Sequence, residues 1–163
     1  MLSRESELYL KGMRLEKDDV DMLLSTLEAN SGANSEKMRI QLIAYYFNAA
    51  QNNAEYFANH ARHVLWFVEN KPGDFVLTRS WAQLSSEHCS DELAAVIKVW
   101  QRIAENTLDS TKDPMLRKQN IEVLRSAAAQ LTYAKDDRAA KLIGACRQIE
   151  PENNLWTELE SLP

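Results

Sequence analysis

The chain of 163 residues is poor in the two residues that most often interrupt helices, with four glycines and four prolines. The glycines are scattered at Gly12, Gly32, Gly73 and Gly144, which leaves almost no material for a phosphate-cradling or dinucleotide-binding loop. Leucine and alanine, with 20 and 19 residues, far outnumber valine and isoleucine, with 14 together, so the apolar residues are mainly helix formers. This composition predicts an all-α protein.

A block of basic residues and a long apolar run are also missing. The net charge of −5 arises from mixed signs along the chain, without the lysine and arginine cluster that marks nucleic-acid and anionic-membrane binders. No stretch approaches the length of a membrane span, and the N-terminus MLSRESELYLKG lacks the core of a signal peptide. We expect no nucleic-acid partner, no membrane insertion and a cytoplasmic location, although a removed presequence would leave the same sequence.

Cysteine is equally scarce, and Cys89 and Cys146 lie far apart in the chain. They have no CxxC spacing, which argues against zinc knuckles and redox motifs. One disulfide between them stays open, while two ordinary thiols are the simpler interpretation.

Apolar residues at helical spacing, together with turn signals, divide the chain into successive helices with short connections. The predicted helices cover 3–11, 17–30, 35–51, 53–70, 79–87, 91–109, 114–134, 136–149 and 152–161. The strongest stop is Lys-Pro-Gly-Asp at 71–74. No long linker or low-complexity segment interrupts the chain, so we expect a single domain over 1–163.

The motif that most suggests chemistry is HARH, which places His60 and His63 one turn apart on the fourth predicted helix. Both histidines fall in a broad apolar arc, and neighbours one turn away such as Tyr56 are not metal ligands of the usual kind. Only a narrow stripe of this helix is polar, so it is expected to pack on more than one side. We interpret the histidines as packed or hydrogen-bonded and predict no metal site.

Trp66 lies in the middle of that polar stripe, four residues after Arg62. It offers either a stacking surface for the guanidinium or an aromatic anchor for a partner. The alternative is that a neighbouring segment covers it, since large exposed aromatic residues are uncommon on monomers.

One spacing pattern recurs in two helices. It consists of Ala61, Leu65, Val68 and Pro72 in the first case, and of Ala139, Ile143, Cys146 and Pro151 in the second. A small residue, two larger apolar residues and a terminal proline are typical of a repeated helix pair. The pattern resembles the tetratricopeptide repeat, and the fairest match is the last pair, whose first helix contains VLRSAAAQLTYA.

The resemblance covers roughly residues 36–160 and departs from the family in its irregular proline spacing and in the position of Tyr133. It implies stacked antiparallel helix pairs over 35–160, after N-terminal helices in 1–34. It also implies a non-enzymatic scaffold that binds a protein or peptide partner in a concave groove. The family's basic carboxylate clamp is not present as a set, so binding of chaperone tails is not carried over.

The first helices of such pairs, which contain MRIQLIAYYFNAA and MLRKQNIEVLRSAAAQ, would line the groove. The candidate partner-binding residues are Tyr45, Asn48 and Arg125 on these helices, with Arg62 and Trp66 on the helix of the HARH motif. Each of them is also compatible with a solvated or packed side chain. No nucleophile elbow, phosphate loop or HExxH helix occurs, so we predict no enzyme activity, no catalytic residue and no cofactor.

Two other functions stay open. A small helical metal-dependent hydrolase would use His60, His63 and His88. A self-assembling structural protein, and with it a homo-oligomer, is the second alternative, because repeat arrays without polar caps tend to stack. The C-terminal NLWTELESLP, with Trp156 and Leu159, would then be either a cap or an interface.

Overall fold

All regular structure in the described part of the chain is helical. The computed structural model describes residues 4–29, 35–84, 90–110 and 114–161, and no strand occurs among them. The α-helices are α1 (Arg4–Gly12), α2 (Lys17–Ala29), α3 (Ser35–Ala50), α4 (Tyr56–Asn70), α5 (Ser90–Ser110), α6 (Pro114–Tyr133), α7 (Arg138–Ile149) and α8 (Asn154–Glu160). The prediction of an all-α chain is confirmed. Within these ranges, no helix combines the length and apolar character needed to cross a bilayer.

The helix predicted at 79–87 differs most from the structure over residues 79–84, while its residues 85–87 lie outside the described ranges. Two short 3₁₀ helices, Phe75–Thr78 and Ser80–Ala82, follow the turn at 71–74 instead. The first is capped by Asp74, whose Oδ1 accepts a hydrogen bond of 2.9 Å from the Val76 N–H. Both Val76 and Leu77 are fully buried, which the tighter 3₁₀ turn allows in a segment too short for an amphipathic α-helix.

The contacts divide the chain into two compact units, Met1–Val64 and Leu65–Pro163, with the boundary inside α4. In the first unit, α1 and α2 both pack against α3. Its core centres on Val20, Leu42 and Tyr46, which partly buried leucines of α2 surround. The single domain predicted over 1–163 stays a prediction.

Gly12 allows α1 to approach the backbone of α3. A Cβ atom at this position would overlap the carbonyl oxygen of Gln41 and would lie 2.7 Å from the Cβ of Ala44. Because α1 has only nine residues and Gly12 is its buried residue, the contact of α1 with α3 depends on the absence of a side chain at position 12.

In the second unit, α6 is the central helix, and α5, α7, α8 and the first 3₁₀ helix all contact it. The consecutive residues Ser126, Ala127, Ala128, Ala129, Gln130 and Leu131 are all buried. Six residues span more than one full turn of an α-helix, so this part of α6 is covered all round.

Two polar side chains on α6 hold the 3₁₀ segment. The Ser126 hydroxyl donates to the Asp74 carbonyl at 3.4 Å. The Gln130 amide donates to the carbonyls of Leu77 and Ala82, at 3.0 and 3.1 Å. These bonds satisfy backbone groups that would otherwise be buried without a partner.

The last predicted helix pair is a hairpin of α6 and α7. At the end of α6, Lys135 adopts a left-handed conformation with φ of 55°, and its N–H donates to the Thr132 carbonyl at 2.9 Å. The Asp136 N–H donates to the Leu131 carbonyl at 2.9 Å, which completes a Schellman motif. The apolar stripe of α7 with Ala139, Ile143 and Cys146 is buried. This hairpin is compatible with a helical repeat.

The C-terminal helix α8 covers the end of the hairpin and contacts both α6 and α7. Trp156 and Leu159 are buried, and the Trp156 indole N–H donates to the Glu150 carbonyl at 3.0 Å. The exposed residues of α8 are Asn154, Thr157, Glu158 and Glu160. A polar outer face of this kind is typical of a capping helix.

We expect the substitution Gly12→Ala to lower the free energy of unfolding by about 1–3 kcal/mol, because the added methyl group forces α1 away from α3. The matched control is Gly144→Ala in α7, where a Cβ meets no atom within 4 Å. This variant should be more stable than the parent by up to about 1 kcal/mol, because alanine has the higher helix propensity. Chemical denaturation followed by circular dichroism measures both, and equal effects of the two variants would contradict the close approach.

Candidate functional site

The two histidines of the HARH motif lie inside the first unit, where His60 is 2% and His63 is 4% exposed. The Nδ1 atom of His63 lies 3.1 Å from Nη1 of Arg39. Because a guanidinium only donates, Nδ1 accepts and the ring proton lies on Nε2. The Tyr46 ring stacks on the imidazole, with centroids 5.7 Å apart. This is the packed, hydrogen-bonded arrangement expected from the sequence.

The electrostatic surroundings of His63 oppose a metal ion. Burial, followed by the charges of Arg39, Arg62 and His60, lowers the pKa of His63 to about 3. Nearby guanidinium groups would also repel a divalent cation. Among the described residues, no group of three or more histidine, cysteine or acidic side chains could hold a metal ion. His88, the third residue of the metal-dependent alternative, lies outside them.

Three tyrosines form an aromatic cluster next to this histidine. The ring centroid of Tyr45 lies 5.2 Å from that of Tyr46 and 6.2 Å from that of Tyr56, both in edge-on geometry. Burial raises the pKa of Tyr45 and of Tyr46, so both stay protonated at neutral pH. Of the predicted partner-binding residues, Tyr45 belongs to this cluster, and Arg62 is near enough for its charge to act on Tyr46. Asn48 is exposed on α3.

The other two predicted partner-binding residues lie in the second unit. Trp66 is partly buried, and its ring meets that of Phe67 edge-on with centroids 5.2 Å apart. Arg125 is bound by two carboxylates: its Nε and Nη2 donate to Glu150 at 3.0 and 2.5 Å, and its Nη1 donates to Glu122 at 2.8 Å. A partner in a groove would have to compete with these contacts.

Glu150 links α6, α7 and α8. Its carboxylate binds Arg125 of α6 and accepts from Asn153 Nδ2 at 3.0 Å, and its carbonyl accepts from Trp156. Burial raises the pKa of Glu150, but the hydrogen bonds from Arg125 and Asn153 outweigh it and hold the pKa below its usual value. Arg125 therefore has a structural role whether or not it also binds a partner.

Cys146 is a free and fully buried thiol in α7. Burial, with a further contribution from the charge of Glu150, raises its pKa to about 12. The thiol is protonated at neutral pH and is a poor nucleophile. Cys89, the other cysteine, lies outside the described residues.

A small cleft lies between α5 and α7 in the second unit, with a volume of about 130 Å³. Its apolar lining consists of Ala104, Leu131 and Leu142, which are buried side chains of α5, α6 and α7. Its polar lining consists of Gln101, Glu105, Arg138 and Lys141. The cleft thus combines an apolar floor with a polar rim.

The rim of this cleft carries opposite charges on its two sides. Glu105 stands on α5, and its charge acts on Arg138 of α7. Arg138 is held in place by Asp136, through guanidinium–carboxylate bonds of 2.7 Å from Nε and from Nη2. Lys141, one turn after Arg138, is exposed. Lys141 on the α7 side of the rim can therefore bind an acidic group.

None of the residues that line this cleft was among the candidates predicted from the sequence. Their signal is a spacing that occurs twice, with residues three and four positions after the first, in Gln101, Ala104 and Glu105 and again in Arg138, Lys141 and Leu142. Such spacings occur on many amphipathic helices. Only the packing of α5 and α7 on either side of α6 turns them into one site.

Comparison with known proteins identifies no relative. No protein-family model matches the chain, and no curated protein or solved structure is significantly similar to it. The tetratricopeptide resemblance therefore stays a prediction that rests on the quoted residues.

The free energy of unfolding should depend on pH through His63. Its pKa is about 3 in the folded chain, below the ordinary 6.5, so the native state excludes a proton that the unfolded state binds. Stability from this group is complete above pH 6.5 and is lost as the pH falls toward 3. Relative to His63→Gln, the parent should lose about 2 kcal/mol between about pH 7.5 and pH 5.

Chemical denaturation of both proteins at the two pH values measures this difference. Glutamine keeps an acceptor for Arg39 but does not titrate, so subtraction of its profile isolates the contribution of His63 from that of other groups. Parallel pH profiles of the parent and the variant would show that His63 is not held neutral by its surroundings.

The substitution Arg125→Met should lower the free energy of unfolding by about 1–3 kcal/mol, because it leaves the carboxylate of Glu150 without its charged partner. The matched control is Arg147→Met. Arg147 pairs with Glu160 at 2.8 Å, but these two side chains are more exposed than those of Arg125 and Glu150. That pair should contribute less than about 1 kcal/mol. Thermal and chemical denaturation compare the two, and equal losses would argue against a special role of Glu150.

Proposed function

We propose that this chain is a non-enzymatic interaction module, in which tetratricopeptide-like helix pairs bind a segment of a protein or peptide partner. The observation that carries the proposal is the cleft between α5 and α7, with its apolar floor and its charged rim. Such a combination suits a peptide that buries one apolar side chain in the centre of the cleft and whose backbone is bound at the rim.

The size of the cleft favours a peptide over a metabolite. Sites for drug-sized molecules and cofactors usually have volumes of about 300–1,000 Å³. A cleft of about 130 Å³ accepts a single apolar side chain. The exposed ammonium of Lys141 on one side then favours a carboxylate next to that side chain in the partner.

The proposed site differs from the groove that the family resemblance implies. In that groove, α6 would present Arg125 and its neighbours to a partner. The structure has residues 126–131 of α6 buried and Arg125 in ion pairs, while the open cleft lies between α5 and α7. We therefore assign partner binding to this cleft, with α6 contributing only Leu131 at its floor.

Two further observations support a module without catalysis. His63 is neutral, buried and hydrogen-bonded through Nδ1, and the buried thiol of Cys146 is protonated. Neither has the properties of a general base or of an activated nucleophile. Self-assembly through the C-terminal segment has less support, because α8 buries Trp156 and presents a polar face.

A selection of peptides from a random displayed library on the purified chain tests this function. We expect enriched peptides to share one large apolar residue flanked by an acidic residue. Substitution Lys141→Glu should weaken their binding about tenfold, because it reverses the charge of the α7 rim. Fluorescence anisotropy of labelled peptides measures the affinity, and amide chemical shifts should change along α5 and α7.

The matched control is Lys98→Glu, which reverses the charge of an exposed residue of α5 that does not line the cleft. This variant should bind the same peptides with the affinity of the parent. Enrichment of no peptide, or an equal loss in both lysine variants, would contradict binding at this cleft. If Arg125→Met abolished binding without lowering stability, the binding site would instead be the groove that the tetratricopeptide resemblance implies.

A further inference from the structure

Exposed apolar side chains of large size are concentrated in the first unit. In the described part of the chain they are Leu10, Met13, Met22 and Tyr133, so three of the four fall between positions 10 and 22. Of these residues, Leu10 is the one that lies in α1. The opposite end of the chain differs, because α8 turns polar residues outward.

The exposed side of α1 has a regular pattern. Glu7, Leu10 and Lys11 are exposed, and at about 100° per residue they fall within one face of roughly a third of a turn. Arg14 is exposed in the turn directly after α1, where its N–H donates to the Lys11 carbonyl at 3.1 Å. We call these four residues the α1 outer face. It lies opposite Gly12, which contacts α3, and it lines an open groove of about 420 Å³ with Leu15 and Asp19. No ion pair within the described chain engages Glu7, Lys11 or Arg14.

We propose that the α1 outer face binds the same face of a second copy of this chain, with the two α1 helices antiparallel. A two-fold axis between positions 10 and 11 places Glu7 of each copy beside Arg14 of the other. Leu10 of each copy then lies at the centre, against Leu10 and the aliphatic stem of Lys11 across the axis. Each contact occurs twice, as a two-fold interface requires.

The charge order along the face selects a second copy as the occupant. Read along the chain, the face carries one acidic residue, an apolar residue and two basic residues. In antiparallel pairing the acidic end meets the basic end of the same sequence, whereas parallel pairing would place like charges opposite each other. In the antiparallel arrangement, the positive end of each helix dipole also lies beside the negative end of the other, which is favourable.

The interface is small, which determines how it should behave. A face of about two helical turns buries less than the roughly 800 Å² per partner that stable complexes need, so association is weak and depends on concentration. Its exposed ion pairs are screened by salt, so association also weakens as the ionic strength rises. This inference does not rest on the proposed function, since the cleft lies in the other unit.

Sedimentation velocity on the full chain, without an added N-terminal tag, tests the proposal between about 1 µM and 500 µM. The parent should shift from monomer to dimer across this range. Arg14→Glu and Glu7→Arg should each weaken dimerisation at least about tenfold, because each places like charges opposite one another twice. The exchange of both charges in Glu7→Arg/Arg14→Glu should restore dimerisation to within about threefold of the parent.

The matched control is Glu28→Arg, which reverses an exposed carboxylate of α2 and should leave the sedimentation profile unchanged. Circular dichroism checks that all variants keep the helical content of the parent. A chain that stays monomeric over the whole range overturns the proposal. So does a dimer that the double exchange fails to restore, since its interface would then lie elsewhere.

Discussion

The second unit depends on one constraint, which is that the stretch of α6 from Ser126 to Leu131 is covered on every side. Its central residues Ala127, Ala128 and Ala129 are fully buried, and their small side chains let α5, α7 and the 3₁₀ segment approach the helix closely. A larger residue at any of the three would overpack a region without free space. The two polar residues in the same stretch, Ser126 and Gln130, are tolerated because each donates a hydrogen bond to a backbone carbonyl.

The same constraint decides where the second unit can bind a ligand. A helix that its neighbours surround has no free face to present, so a partner can reach it only at the edge between two of them. The cleft between α5 and α7 is such an edge, and Leu131 is the residue of α6 that reaches it. Arg125 lies one turn before Ala129 and extends toward the end of α7, where Glu150 binds it.

The sequence was sufficient for features that depend on neighbours along the chain. The described helices α3, α5, α6 and α7 follow the predicted ranges to within a few residues, because helix propensity and the 3.6-residue period are local properties. The helix predicted at 79–87 was wrong for its described residues 79–84, since the 3₁₀ turns there and just before are held by Gln130, about 50 positions later. The Arg125–Glu150 bond and the cleft also join residues that only the folded chain brings together.

The HARH motif shows the same limit for chemistry. Its spacing and its apolar surroundings indicated a packed pair, but the protonation of His63 depends on Arg39, which lies 24 positions earlier on another helix. With a neutral imidazole there, the unit keeps one buried hydrogen bond and avoids a third cation beside the guanidinium groups of Arg39 and Arg62. A pair that suggests metal binding in the sequence is therefore a structural contact whose strength varies with pH.

The two surfaces proposed for binding differ in their physical character and can be separated experimentally. The cleft has an apolar floor beneath a charged rim, so only the contribution of the rim to binding should weaken as salt is added. The α1 outer face has a single exposed leucine between charges of both signs, so association through it should be sensitive to ionic strength.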